Sequence, residues 1–285
     1  MPVSTNVPTM RQRRLARQLK ELRLAAGLKH SDAAEILSCA ESKLTRIENA
    51  RSGIRLLDLR TLLDAYGVRD PDTRREIEEL AKDARKKGWW AQYAQKARAE
   101  YLGYIAVEWD STEMLTVEPF LVPGLLQTAA YTEAVVRLTQ PTRPDAEVSE
   151  QAELKQERQR ILTREEGYRF WCVISETVLR SEVGGAEVHR EQLAHLYEAA
   201  ALPSVELQVL PATSPANVLL YGPFAILRFA DTGDIAFTEQ GEGTIYYEEA
   251  AAAERFNARF RRLNMAALPP EESRDLIGDA LRHAH

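Results

Sequence analysis

The polar side chains in residues 41–47 are the group in this sequence best suited to recognising another molecule. The run mixes charged, hydroxyl and apolar side chains in the order Glu41, Ser42, Lys43, Leu44, Thr45, Arg46 and Ile47. In a helix, Leu44 and Ile47 point inward and the polar residues lie on exposed faces. Carboxylate, hydroxyl and guanidinium groups match the donors and acceptors that base edges present in the major groove of DNA. The spacing therefore predicts a short helix that is open to a DNA groove. The residues nearest the groove side are Glu41, Ser42, Thr45 and Arg46.

Helical periodicity on both sides predicts the elements that position this run. An amphipathic helix ends at Gly27, and the next short helix has small alanines on its buried side, which let two helices approach at a steep angle. Two further helices follow, the first ending at Gly67 and the second beginning at Asp70-Pro71. We therefore predict an all-α five-helix helix-turn-helix domain over residues 1–87. The buried positions of these four helices are Leu15, Leu19, Leu22 and Ala26; Ala33, Ala34 and Leu37; Leu56, Leu59, Leu62, Leu63 and Tyr66; and Ile77, Leu80, Ala81 and Ala84.

A set of residues across these helices resembles the xenobiotic-response-element family of helix-turn-helix proteins, to which phage repressors and Cro-like proteins belong. The resemblance implies that Lys29 and His30, at the start of the second helix, sit over phosphates of double-stranded DNA. It implies that the third helix lies in the major groove, and that Asn49 and Arg51 lie near the DNA backbone. The groove residues are then Glu41, Ser42, Lys43, Thr45 and Arg46. The matching residues are Leu28, Ala34, Leu37, Ser42, Leu44, Arg46, Ile47, Glu48 and Asn49, with the leucine-rich helix after Arg55.

Several positions depart from the pattern of that family. The second helix of the family usually begins with a Ser-Gln pair, where this chain has Lys29-His30. The third helix usually begins with a Ser or Thr cap followed by a basic or amide residue, where this chain has Ala40-Glu41. Glu41 is awkward beside phosphates unless it accepts a hydrogen bond from a cytosine amine. Ala50 stands where Gly commonly closes the third helix, although Asn49 can itself tolerate a left-handed conformation.

Charge is divided unevenly along the chain. The whole sequence has a formal net charge of −6, but residues 1–87 hold 19 Lys and Arg against 13 Asp and Glu, and residues 88–285 hold 18 against 30. The positive balance of the first segment suits the salt-dependent phosphate contacts that supply non-specific affinity for DNA. The acidic remainder is expected to face something else. Six basic residues lie near the start of the chain: Arg11, Arg13, Arg14, Arg17, Lys20 and Arg23. They either contact the DNA backbone or form a solvated face of a helix.

The alternative for residues 1–87 is a small helical bundle without a DNA-binding role. In that case surface charges such as those of Lys43 and Arg46 are simply solvated. The order of helices and turn, followed by the run Arg46-Ile47-Glu48-Asn49, favours DNA binding.

Residues 88–285 are long enough for a core of their own. We predict a larger mixed α+β domain whose sheet has four or five strands. An aromatic group at its start, including Trp89, Trp90 and Trp109, either packs its first helices or forms an interface or ligand pocket. The predicted strands cover 170–174, 205–209, 223–229, 234–239 and 243–247, and the predicted helices include about 145–164 and 186–201.

Several motifs occur together in this second part. They include the run from Val122-Pro123-Gly124 to Gln127-Thr128, the run Arg158-Gln159-Arg160-Ile161-Leu162, Val183-Gly184-Gly185 and Gly222-Pro223-Phe224. Together they resemble the large domain of actinobacterial helix-turn-helix regulators often described as toxin–antitoxin-like. The resemblance implies a regulator that is typically encoded beside a very small protein.

The sequence favours a protein that is not an enzyme and uses no cofactor. Gly184-Gly185 lacks the flanking strand, Lys and Ser or Thr that a phosphate loop needs. His189 and His195 lie six residues apart on one predicted helix, so they face different directions and cannot share a metal by themselves. No apolar run reaches the length of a membrane span, and the Arg-rich start lacks the apolar stretch of a signal peptide. We therefore expect a cytoplasmic protein without a membrane partner.

These observations predict a sequence-specific DNA-binding transcriptional regulator. A helix-turn-helix of this type reads two half-sites, so we expect a homodimer. The use of the C-terminal domain stays open between two alternatives. It binds a small companion protein encoded nearby, as in an antitoxin-like regulator, or it binds a small-molecule effector as a one-component sensor. The pocket of a sensor would be lined by Tyr221, Phe224, Phe229, Phe237, Tyr246 and Tyr247.

Overall fold

The chain divides into two compact units, Met1–Asp110 and Ser111–His285. We expected the first domain to end at residue 87, and Lys86 and Lys87 lie outside the described residues. The division lies further along the chain because the segment after residue 88 packs with the first unit, where Arg11 Nε is 2.9 Å from Asp110 Oδ1. The computed structural model describes residues 8–85, 88–165, 167–230, 233–240 and 243–284.

Within the described residues the N-terminal unit is all-α, and its helices bury most of the apolar positions that the sequence periodicity predicts. Ala26 is an exception, because α1 ends at Ala25 and Ala26 is its exposed C-cap. Leu19, Leu44, Leu59 and Leu63 are fully buried in one core. The five predicted helices are confirmed, and a sixth follows them. They are α1 (Met10–Ala25), α2 (His30–Ile36), α3 (Glu41–Glu48), α4 (Leu56–Ala65), α5 (Pro71–Asp83) and α6 (Ala99–Trp109), with a 3-10 turn over Trp89–Tyr93.

Side-chain caps fix the beginnings of two of these helices. The Thr9 hydroxyl accepts from the backbone N–H of Gln12, while the Gln12 side chain accepts from the backbone N–H of Thr9. This reciprocal pair is a capping box at the start of α1. At α5, the Asp70 carboxylate accepts from the backbone N–H of Thr73, and Pro71 occupies the first helical position, where no backbone donor is needed.

The aromatic group after residue 88 packs within the N-terminal unit. Trp89 makes edge-to-face contacts with Trp90 and with Trp109, with ring centroids 5.9 Å apart in each case. The Trp90 ring lies so close to Gly88 that a Cβ there would come within 2.2 Å of it. Packing of the first helices is therefore the role that these contacts support, although in the N-terminal unit and not in the C-terminal one.

The C-terminal unit is mixed α+β, as predicted. The five predicted strands are confirmed, and the helix expected over 145–164 ends at Arg158 and continues as a 3-10 turn to Thr163. The strands are β1 (Glu113–Glu118), β2 (Arg169–Ser175), β3 (Val205–Leu210), β4 (Phe224–Arg228), β5 (Ile235–Gln240) and β6 (Gly243–Tyr247). The helices are α7 (Ala129–Thr139), α8 (Asp145–Arg158), α9 (Ala186–Ala199), α10 (Ala250–Ala266) and α11 (Pro270–His283).

Within the described residues these strands form one six-stranded sheet in the order β3-β2-β1-β4-β5-β6. Strands β1, β2 and β3 run parallel, and β4, β5 and β6 continue the sheet with antiparallel pairing. Strand β1, which we did not predict, lies in the middle of the sheet. Helix α10 covers one face, where Phe260 and Leu263 pack against β1 and β4. Among the described helices, none is long and apolar enough to span a membrane.

Candidate nucleic-acid interface

Helix α3 is fixed to the N-terminal unit through a buried ion pair. The Arg23 guanidinium on α1 donates from Nε to Glu48 Oε1 at 2.7 Å and from Nη2 to Glu48 Oε2 at 2.9 Å. Its third hydrogen bond goes to the backbone oxygen of Leu28, at 2.7 Å. Arg23 is 3% exposed and Glu48 is 7% exposed. The hydrogen bond to Glu48 raises the pKa of Arg23 and outweighs the effect of burial. The pair therefore sets the position of α3 against α1.

The turn between α2 and α3 is tight and uses one left-handed residue. Ser38 has φ 50°, and the backbone N–H of Cys39 donates to the oxygen of Ala34 at 2.9 Å. Ala33 and Ala34 are buried where α2 meets its neighbours. The predicted helix, tight turn and helix are thus confirmed, with small residues at the close approach.

One face of α3 is exposed, and it carries four of the five predicted groove residues, Lys43 being the exception. Two of the side chains on this face bind the backbone of α3. The Thr45 hydroxyl donates to the backbone oxygen of Glu41 at 3.0 Å, and the Asn49 amide donates to the backbone oxygen of Thr45 at 2.8 Å. In the part of the chain that the structure describes, the side chains of Glu41, Ser42 and Arg46 have no hydrogen-bond or ion-pair partner. The exposed residues are Glu41, Ser42, Thr45, Arg46 and Asn49.

Comparison with known families agrees with this geometry. Residues 14–77 match the family described as a helix-turn-helix domain, which covers α2, the turn and α3. Residues 101–279, more than half of the chain, match the family described as a domain of unknown function, DUF5753. The chain belongs to the DUF5753 family. It is a helix-turn-helix regulator that binds DNA through its N-terminal unit. No curated protein and no solved structure gives a significant match to it.

Two of the predicted DNA-contacting residues of this DUF5753 protein are held by other helices. Lys43 is half-buried, and its Nζ lies 3.0 Å from Asp58 Oδ2 on α4. His30 Nε2 lies 3.1 Å from Glu48 Oε2, so His30 joins the buried ion pair from the start of α2. Sequence periodicity could not reveal either contact, because both partners come from other helices.

The remaining predicted contacts of the DUF5753 protein flank α3. Lys29 is exposed just before α2, where its backbone N–H donates to Asp32 Oδ2 at 2.8 Å. Arg51 is exposed just after α3, and its backbone N–H donates to the oxygen of Arg46 at 2.7 Å. The residue that closes α3 in a left-handed conformation is Ala50, at φ 57°, and not Asn49, at φ −102°.

The basic group on α1 does not act as one surface. Arg23 is buried against Glu48, so it is not available to DNA, and Arg11 is paired with Asp110. Arg17 lies 4.0 Å from Glu21 on the exposed side of α1. The positioning role of Arg23 and Glu48 could not be predicted from the sequence, because Arg and Glu side chains are ordinarily exposed.

A second polar cluster lies in the C-terminal unit of the DUF5753 protein, at the end of β1. Lys155 Nζ donates to Gln127 Oε1 at 3.0 Å, and the backbone oxygen of Gln127 accepts from Gln156 and Gln159. Burial, and then the neighbouring Glu239, raise the pKa of Glu118 to about 8. Burial, and then the neighbouring Arg158, lower the pKa of Lys155 to about 8.

The histidine pair that we considered in the C-terminal unit does not converge. His189 is buried, with Nε2 3.1 Å from the backbone oxygen of Leu179. His195 is half-buried further along α9, and burial lowers its pKa. The contact of His189 is a structural one within the unit.

Proposed function

We propose that this protein is a sequence-specific transcriptional regulator that reads the major groove with the exposed face of α3. The observation that carries the proposal is the contrast between the two sides of that helix. One side is fixed by Leu44, Ile47 and the buried pair of Arg23 with Glu48, while the other presents Glu41, Ser42 and Arg46 to solvent. A helix whose backbone is already fixed is suited to reading base edges, because only its exposed side chains have to be ordered on binding.

Non-specific affinity would come from exposed cations beside this face. Lys29 and Arg51 lie just before α2 and just after α3, where a groove-bound helix brings them near phosphates. The positive balance of residues 1–87 acts in the same direction. Binding should therefore weaken steeply as salt is added.

We further propose that the protein acts as a homodimer on two half-sites. A single helix of eight residues contacts only a few base pairs, and linking two such units raises the overall affinity without new contacts per unit. Native mass spectrometry of the full chain should then give twice the 32.2 kDa of one chain. A monomer at micromolar concentration, alone and on DNA, would contradict this part.

Control by a protein partner is our proposal for the C-terminal unit, in keeping with an antitoxin-like regulator. Its support is a set of strongly exposed apolar side chains near α10. Val218 is 79% exposed, Tyr221 is 76% exposed and Met265 is 83% exposed, and α10 contacts the 3-10 turn that contains Val218. A group of exposed apolar side chains in one region of the surface is typical of protein contact sites. A small protein encoded nearby is the partner to test first.

The sensor alternative has less support, because its six aromatic residues do not share one side of the sheet. Phe224 is buried on the face covered by α10, next to Phe256. Phe237 pairs with Ala225, so it points to the opposite face, where it contacts Tyr246. Tyr221 is exposed with the Arg259 guanidinium over its ring. We therefore propose a regulator whose C-terminal unit is not a small-molecule sensor.

The proposal is tested by enrichment of a randomised double-stranded DNA library on the purified full chain. We expect one motif with two similar half-sites to be enriched at low salt. Competition with unrelated duplex then measures specificity, and a salt series measures the phosphate contribution. Enrichment of no motif at any salt concentration would contradict sequence-specific binding.

A further inference from the structure

We infer that Glu41 gives this protein a preference for cytosine, because its carboxylate accepts a hydrogen bond from the exocyclic amine of that base. The inference rests on the proposed function, in which α3 enters the major groove. It adds a role for the Glu41 side chain and changes no other proposed contact of α3.

The hydrogen bonds of α3 reduce the set of groups that can read bases. Thr45 and Asn49 each donate to a backbone oxygen of their own helix, and Lys43 is paired with Asp58. The unpartnered groups among the described residues of α3 are then the carboxylate of Glu41, the hydroxyl of Ser42 and the guanidinium of Arg46. Of these three, Glu41 is acceptor-only when ionised.

Phosphates cannot be the partner of this carboxylate, because both are negative. The major groove offers amine donors only on cytosine and adenine. Adenine carries the N7 acceptor beside its amine on the same base, and N7 repels a second carboxylate oxygen, whereas the major-groove edge of cytosine itself carries the amine and no acceptor. A glutamate at an exposed position of a groove-bound helix therefore selects cytosine.

Glu41 and Arg46 read different base pairs. At about 100° and 1.5 Å per residue, five residues separate their Cα atoms by about 140° around α3 and about 7.5 Å along it. That axial distance corresponds to roughly two base-pair steps of 3.4 Å. The two residues therefore lie at opposite edges of the exposed face, and a half-site would contain a cytosine read by Glu41 and a guanine read by Arg46.

The substitution Glu41→Gln tests the assignment, because glutamine pairs with the amine and N7 of adenine together. The randomised duplex library is enriched in parallel on the full-length wild type, Glu41→Gln and Glu79→Gln. Glu79 is exposed on α5 and loses the same charge, so it controls for general electrostatics. We expect one column of the motif to change from cytosine to adenine in Glu41→Gln only, with a switch in preference of at least about fivefold.

Three outcomes would overturn the inference in distinguishable ways. An unchanged motif with Glu41→Gln, while the wild type enriches a motif, rejects cytosine reading and leaves the proposed function intact. An equal change with Glu79→Gln assigns the effect to net charge. Enrichment of no motif by the wild type rejects the proposed function itself, and this inference with it.

Discussion

Arg23 on α1 and Glu48 on α3 form a buried ion pair through two hydrogen bonds, at 2.7 and 2.9 Å. Removing one partner leaves the other charge buried without compensation, which ordinarily costs about 3–5 kcal/mol. We therefore expect Glu48→Ala to lower the free energy of unfolding of the N-terminal unit by this amount. Urea unfolding followed by tryptophan fluorescence measures it.

The exposed ion pair between Arg60 and Glu78 provides the control for that measurement. Its two hydrogen bonds have the same form as those of Arg23, at 2.9 and 2.7 Å, but the Arg60 side chain is 52% exposed. Surface pairs of this kind contribute little. If Arg60→Ala and Glu48→Ala changed the unfolding midpoint equally, burial would not explain the role of Glu48.

The left-handed conformation of Ala50 predicts a stabilising substitution. Ala50 closes α3 at φ 57°, a region in which a Cβ is strained and glycine is not. Ala50→Gly should raise the free energy of unfolding by up to about 1 kcal/mol. The reverse change, Gly67→Ala, should be destabilising, since Gly67 ends α4 at φ 73°. A loss of stability in Ala50→Gly would show that the strain is relieved elsewhere.

The position of Lys29 predicts a loss of affinity that does not depend on DNA sequence. Lys29→Ala should weaken binding to specific and random duplexes alike and reduce the slope of log affinity against log salt by about 1. The control is Lys82→Ala, which removes an exposed charge on α5. Equal salt slopes for the wild type and Lys29→Ala, measured by fluorescence anisotropy, would remove Lys29 from the phosphate contacts.

The cluster around Glu118 predicts how the stability of the C-terminal unit depends on pH. The pKa of Glu118 is raised from 4.5 to about 8, so the folded state holds this proton more tightly than the unfolded state. Its contribution to the free energy of unfolding is present at low pH and is lost as pH rises from about 4.5 to 8. The pKa of Lys155 is lowered from 10.5 to about 8, so its contribution rises between pH 8 and 10.5. The two together predict a minimum near pH 8.

Glu118→Gln should remove the falling part of this profile. We expect urea unfolding at pH 6 and at pH 8 to give a smaller difference in this variant than in the wild type. Glu271→Gln, on the exposed start of α11, should keep the difference of the wild type. The assignment is contradicted by an equal difference in all three proteins.

Periodicity in the sequence was sufficient for most of the fold, because most of the confirmed elements have a recurring apolar pattern. Strand β1 was missed because Glu113 and Glu118 lie at its ends and Thr116 interrupts its apolar run. These polar residues are accommodated by tertiary contacts, such as the hydrogen bond from the Thr116 hydroxyl to the Phe224 oxygen at 3.1 Å. No local pattern reports such a contact.

The exposed face of α3 could also be predicted from spacing alone, since Leu44 and Ile47 define its buried side. Whether each polar side chain is free, paired or buried could not be predicted in this way. Lys43 and His30 have partners on neighbouring helices, and Arg23 is buried although it lies in a basic stretch of α1. Whether such a side chain finds a partner depends on which helix packs against its own, and that packing is set by the fold as a whole.

The binding of Arg46→Ala to the enriched motif tests most directly whether α3 reads DNA. Arg46 is exposed and unpartnered among the described residues, so its removal should leave the unfolding curve unchanged. We expect the affinity for the motif to fall by about 1–3 kcal/mol, while binding to random duplex changes little. Equal affinities of Arg46→Ala and the wild type for the motif, at the same salt concentration, would contradict the placement of α3 in the groove.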